Sequence, residues 1–170
     1  LHISSMCKLM TALIAIEKSS LDAKVTISKD SARSEGSLLL LESGEKYSVE
    51  DLLYSIMLIS ANDSAVALAE FIGGDVDKFV DMMNNKAHEL NLKDTRFKNP
   101  TGLYSDEQYT TANDIAVFMK YALKNPTFNM IFSTNTKLIS GKNTTILINL
   151  NRLFWSYNGI DGGKAGYNDI

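Results

Sequence analysis

A chain of 170 residues, 45% hydrophobic and 22% charged, carries enough apolar material for one buried core and shows no bias towards disorder. Its formal charge of −3, with no basic run, argues against a nucleic-acid partner or an anionic membrane surface. The single cysteine, Cys7, excludes an internal disulfide and a cysteine-based zinc cluster. The two histidines, His2 and His88, lack a matching carboxylate cluster, so no metal, cofactor or Ser-His-Asp triad is expected.

The first predicted element is a helix over 8–18. It is apolar nearly all round (Leu9, Met10, Ala12, Leu13, Ile14, Ala15, Ile16), the pattern of a helix buried on every side. No apolar stretch reaches the ~18 residues that span a bilayer. No basic and apolar leader opens the sequence, so a signal peptide is expected to be absent or already removed. A short strand is predicted over 25–28, followed by a polar connection through Ser37. Ser48, with Asp51 three residues on, predicts a capped helix to about 59. Ser60-Ala61-Asn62 interrupts it, and a second helix over 63–72 ends at Gly73-Gly74.

From 75 to 90 the residues Val76, Phe79, Val80, Met83, Ala87 and Leu90 keep helical spacing, which predicts an amphipathic helix. The stretch 92–109 reads as irregular and contains the turn signal Asn99-Pro100-Thr101-Gly102. Thr111 with Asp114 caps a further helix, and Asn125-Pro126 opens another. Strand-like runs come late, over 137–140 and 144–149, with a third predicted at 163–167. The pattern is that of an α+β chain in which helices dominate.

Three short patterns carry the chemistry: Ser5-Met6-Cys7-Lys8, Ser60-Ala61-Asn62 and Lys164-Ala165-Gly166. Singly each is weak; their order and placement make the case. Residues three apart share a helix face, so Lys8 can reach the Ser5 hydroxyl. A lysine desolvated by apolar neighbours has a depressed pKa and can accept the serine proton. The N–H groups at the helix start suit an oxyanion hole. Ser60 is placed to relay a proton to a leaving amine, and Asn62 to hydrogen-bond Lys8 or a substrate amide. Lys164 puts a positive charge where a peptide carboxylate would sit, on a strand able to pair with an extended peptide.

In this order the three patterns resemble the active-site set of penicillin-binding proteins and serine β-lactamases. Their flanks are more specific. Ser5 to Ala12, Ser60-Ala61-Asn62-Asp63-Ser64-Ala65 and Asp161-Gly162-Gly163-Lys164-Ala165-Gly166-Tyr167 are similar to the low-molecular-mass D-alanyl-D-alanine carboxypeptidases. So are Gly44-Glu45, Asn99-Pro100-Thr101-Gly102-Leu103 and Thr111-Ala112-Asn113-Asp114. The resemblance implies a β-lactamase/transpeptidase-like fold, here mainly its helical subdomain with part of the sheet. Residues 1–170 would then be a partial catalytic domain truncated at both ends, of doubtful activity by itself.

It further implies a serine enzyme of the bacterial cell envelope, outside the cytoplasmic membrane, attached to the membrane only through segments beyond this chain. Ser5, Lys8, Ser60 and Asn62 would be catalytic, with Lys164, Ala165 and Gly166 binding substrate. The substrate would be a peptidoglycan stem peptide ending in D-Ala-D-Ala, and β-lactam antibiotics would inhibit. Two positions depart from the family: Cys7 stands where Thr is usual, and Ala165 where Thr or Ser is usual. Losing one hydrogen bond to the substrate carboxylate costs roughly 1.5–3 kcal/mol, so weaker substrate and β-lactam binding is expected. The alternatives are a non-catalytic or weakened peptidoglycan-binding relative and a β-lactamase-like hydrolase. For the latter, no Glu-bearing loop to position a deacylating water is evident between 92 and 143.

Overall fold

The computed structural model describes residues 1–141 and 144–166. A 3-10 turn over Ser4–Met6 runs directly into α1 (Cys7–Lys18), and every residue of α1 from Cys7 to Ala15 is buried. The reason lies in its composition, since a helix with no polar face has no side to give to water. The chain then forms β1 (Lys24–Thr26), a 3-10 turn at Ser31–Arg33, β2 (Lys46–Ser48) and α2 (Val49–Leu58). Next come α3 (Asn62–Gly73) and α4 (Val76–Glu89). After the irregular stretch follow α5 (Ala112–Ala122), α6 (Pro126–Phe132), β3 (Thr136–Ser140), β4 (Thr144–Ile148) and the short α7 (Leu153–Ser156).

Helices α2, α3, α4 and α6 pack around α1. Their contact surface is one continuous core in which Leu13, Ile14, Leu52, Leu53, Ile56, Leu68, Phe79 and Phe128 are fully buried. Truncating any one of these aliphatics to Ala should cost about 2–5 kcal/mol. Two antiparallel two-stranded sheets flank the block among the described residues: β1 with β2 (Val25 opposite Tyr47) and β3 with β4 (Leu138 opposite Ile146).

The caps predicted at Ser48, Thr111 and Asn125 form, and Asp75 adds one that was not predicted. Ser48 Oγ accepts from Asp51 N at 3.0 Å and donates to the Asp51 carboxylate at 2.6 Å, opening α2. Asp75 Oδ1 accepts from Lys78 N, Thr111 Oγ1 from Asp114 N, and Asn125 Oδ1 from Thr127 N and Phe128 N. Each cap satisfies N–H groups that the first turn leaves without an intrahelical partner. One predicted element does not form. Residues 163–166 are not a strand, and Tyr167 lies outside the described residues. A strand exists only through a ladder partner, and among the described residues this segment has none; instead it is tied down by Gly163 N donating to Phe132 O at 3.3 Å. Conversely, β2 and α7 form where no element was predicted.

Candidate active site

Ser5 lies on the 3-10 turn that feeds α1, half-buried, next to Ser4 with φ +49°. Lys8 follows three residues later in the first turn of α1 and is 0% exposed. Its Nζ sits 3.4 Å from Ser5 Oγ and donates to the Thr101 carbonyl at 2.5 Å. Burial among apolar neighbours disfavours the ammonium form and pushes the Lys8 pKa down to about 8, against a smaller opposing pull from Cys7. The spacing predicted this serine–lysine pairing; the third partner is a backbone oxygen from a distant loop.

Ser60 occupies the break between α2 and α3 in a left-handed conformation, φ +63°. For a non-glycine residue that conformation costs on the order of 1 kcal/mol or more and persists only where the surroundings enforce it. Lys164 Nζ donates to Ser60 Oγ at 3.1 Å and to its neighbour Ala165 O at 2.6 Å. Desolvation, and then repulsion from Lys8, push the Lys164 pKa down to about 7. Gly166 runs along the Ser5 turn, for a Cβ added there would lie 3.5 Å from Met6 N and 3.6 Å from Ser5 N. Leu150 N, donating to Leu58 O at 3.0 Å, turns the chain back towards this side of the molecule. Ser5, Lys8, Ser60, Lys164 and Gly166 therefore converge from three separate stretches of sequence.

Asn62 does not pair with Lys8. Among the described residues, its Nδ2 donates to Glu35 O at 2.5 Å and its backbone N to Ser37 O at 2.7 Å. The next residue, Asp63, accepts from Leu39 N and Leu41 N, each at 3.1 Å. The loop 35–41 lies over the start of α3, so its backbone supplies the partners that these buried groups require. Gly36, at φ +87°, is the residue this approach allows, since a Cβ there would meet Asn62 Nδ2 at 2.8 Å. Asn62 and Asp63 thus hold one wall of the site in place. In the sequence Asp63 is only an acidic residue at a helix start.

Cys7 is fully buried, donates to Asn99 O at 3.1 Å, and has its thiol pushed up to about 12 by burial. It is a packed side chain, not a second nucleophile. Ala165 is exposed and offers a backbone carbonyl but no hydroxyl.

A serine hydroxyl beside a dry amine, with a second amine across from it, is chemically suited to acyl transfer. The family profile described as D-alanyl-D-alanine carboxypeptidase matches residues 1–170, and the chain belongs to that family. It is 41% identical over 172 residues to the D-alanyl-D-alanine carboxypeptidase DacF of Bacillus subtilis, covering 96% of this chain and 44% of DacF. Against DacD of Escherichia coli the identity is 34%, covering 96% of this chain and 45% of the relative. The chain thus spans about half the length of these curated relatives.

Among solved structures, a D-alanyl-D-alanine carboxypeptidase from Mycobacterium tuberculosis superposes with a TM-score of 0.92 at 30% identity, over 98% of this chain and 64% of that one. A Streptomyces DD-transpeptidase does so with a TM-score of 0.90 at 32% identity, over 98% and 71%. The fold is the β-lactamase/transpeptidase-like fold of these DD-peptidases, represented here by its helix-rich part.

Proposed function

We propose that the 170 residues are part of the catalytic domain of a longer serine D-Ala-D-Ala carboxypeptidase that works on peptidoglycan stem peptides in the bacterial cell envelope. The observation that carries this reading is the pairing of Ser5 with a fully buried Lys8, faced by Lys164 across Ser60. Lys8, neutral above about pH 8, takes the Ser5 proton as Oγ attacks the carbonyl carbon of the penultimate D-Ala. The C–N bond to the terminal D-Ala breaks. The proton held by Lys8 returns through Ser60 to the departing nitrogen, and water then cleaves the ester on Ser5. Lys164 attracts the carboxylate of the terminal residue, and β-lactams acylate the same oxygen. The relatives' names point to this activity: DacF and DacD are D-alanyl-D-alanine carboxypeptidases. Among the described residues no helix is long and apolar enough to cross a membrane.

A weakened peptidoglycan-binding relative is the second reading, favoured by the missing hydroxyl at Ala165 and by Asn62 bonding to the 35–41 loop. Labelling of the full-length protein with a fluorescent penicillin, beside Ser5→Ala, separates the two. The proposal expects a covalent band in the wild type and none in the variant. Equal labelling of both, or none of the wild type at high concentration, overturns it.

A further inference from the structure

The turn 99–103 lies against α1 and presents three successive backbone carbonyls to three side chains of that helix. Cys7 Sγ donates to Asn99 O at 3.1 Å, Thr11 Oγ1 to Pro100 O at 2.7 Å, and Lys8 Nζ to Thr101 O at 2.5 Å. The side chains of residues 7, 8 and 11 lie on adjoining faces of the first turns of one helix. A strap that meets all three sets both the depth and the rotation of that helix end.

The strap is in turn built around one side chain. Asn99 Oδ1 accepts from Gly102 N at 2.7 Å, Thr101 Oγ1 at 2.9 Å and Thr101 N at 3.2 Å. Asn99 Nδ2 donates to Leu103 O at 2.9 Å, closing the turn from the other end. Gln108 anchors the base, with Oε1 accepting from Lys98 N and Asn99 N and Nε2 donating to Leu103 O. At its tip Gly102 has φ +84°, and an added Cβ would run into the Ser4 carbonyl. The same turn therefore touches the peptide before Ser5 and the amine of Lys8.

We propose that Asn99 is a positioning residue for Lys8: by folding the 99–103 turn it aims the Thr101 carbonyl at Nζ, so that the free lone pair of the neutral amine faces Ser5. A neutral amine has two N–H groups and one lone pair. With one N–H committed to a fixed carbonyl, rotation about the last side-chain bond is restricted and the lone pair has few directions left. Without the strap, Lys8 gains access to water and loses that restriction. The inference rests on the proposed role of Lys8 as base. Asn99 itself touches no reacting atom.

The test reads Lys8 directly, by NMR titration of lysines labelled at the ε carbon in the full-length protein, with the Lys8 signal assigned from its loss in Lys8→Arg. Asn99→Ala is expected to move the Lys8 midpoint upwards by about one unit as the amine meets water. It should also slow penicillin acylation about 10–100-fold with little change in initial binding. Thr101→Val removes one of the three donors to Asn99 Oδ1 and should produce a smaller change in the same direction. If Asn99→Ala does not fold, Thr101→Val decides alone. A folded variant that keeps the wild-type Lys8 midpoint overturns the inference. The midpoints are read whether or not the protein takes up penicillin, so failure of the carboxypeptidase reading and failure of this one are told apart.

Discussion

The two lysines of the site are held in opposite ways. Lys8 is fully buried in the first turn of a helix packed by four others, and its amine is fixed by Ser5 and the Thr101 carbonyl. Lys164 lies on an irregular segment outside any strand, half-buried beside the exposed Ala165, and its amine bonds Ser60 and the adjacent Ala165 carbonyl. The proposed base is thus part of the core, while the proposed carboxylate anchor rests on the surface of that core. A base must keep its angle to one oxygen through a reaction, and a rigid helix does that. An anchor for a carboxylate needs charge and reach more than rigidity.

The largest expected effect breaks the comparison at its rigid side. Lys8→Met keeps the volume and removes the amine, and penicillin acylation should fall by on the order of 10³-fold, within the range for loss of a positioned general base. Lys164→Met should leave the acylation step itself nearer to wild type and weaken binding of carboxylate-bearing ligands by about 10–100-fold, as for one hydrogen bond to a charged group. Stopped-flow acylation over a range of ligand concentrations separates the two. Equal losses in the acylation step would mean that the two lysines do not divide the work.

A pH profile sharpens the same contrast. Lys8 must be neutral, which favours pH above about 8, and Lys164 charged, which favours pH below about 7. The lysines repel each other, so the limbs of the profile belong to the pair and not to either residue alone. Acylation by a carboxylate-bearing substrate should be bell-shaped with its maximum between about 7 and 8. A substrate without that carboxylate should lose the alkaline fall. A rise continuing past both values for the carboxylate substrate would remove Lys164 from the anchoring role.

The smallest effect concerns the anchor side. Ala165→Thr adds a hydroxyl beside the anchor and should speed acylation by about tenfold, the lower end of what a hydrogen bond to a charged group contributes. An unchanged rate would place the weakness elsewhere, with the Asn62 contact to Glu35 O as the next place to look.

Much of the helical block was legible in advance, and for a local reason. Apolar spacing marked α1 and α4 within a few residues, and Ser48, Thr111 and Asn125 open α2, α5 and α6 as caps because a capping side chain bonds N–H groups two or three residues away. Strand prediction at 163–167 failed because a strand needs a partner, and the segment's own residues do not say whether one is present. The direction of Asn62 was equally hidden, since the Glu35 carbonyl beside Gly36 takes its side-chain N–H and the Ser37 carbonyl its backbone N–H.

Returning to Ser5 and Lys8, the sequence by itself determined that they would share a face, because three residues along a helix set that geometry without help from the rest of the chain. It also determined that Lys8 would be dry, because the helix around it has no polar side. Only the tertiary structure decided what else touches the amine. Thr101 is 93 residues from Lys8, and Lys164 is 104 residues from Ser60. The group that holds Lys8 is a backbone carbonyl, which every residue carries, so no side chain in the sequence announces it.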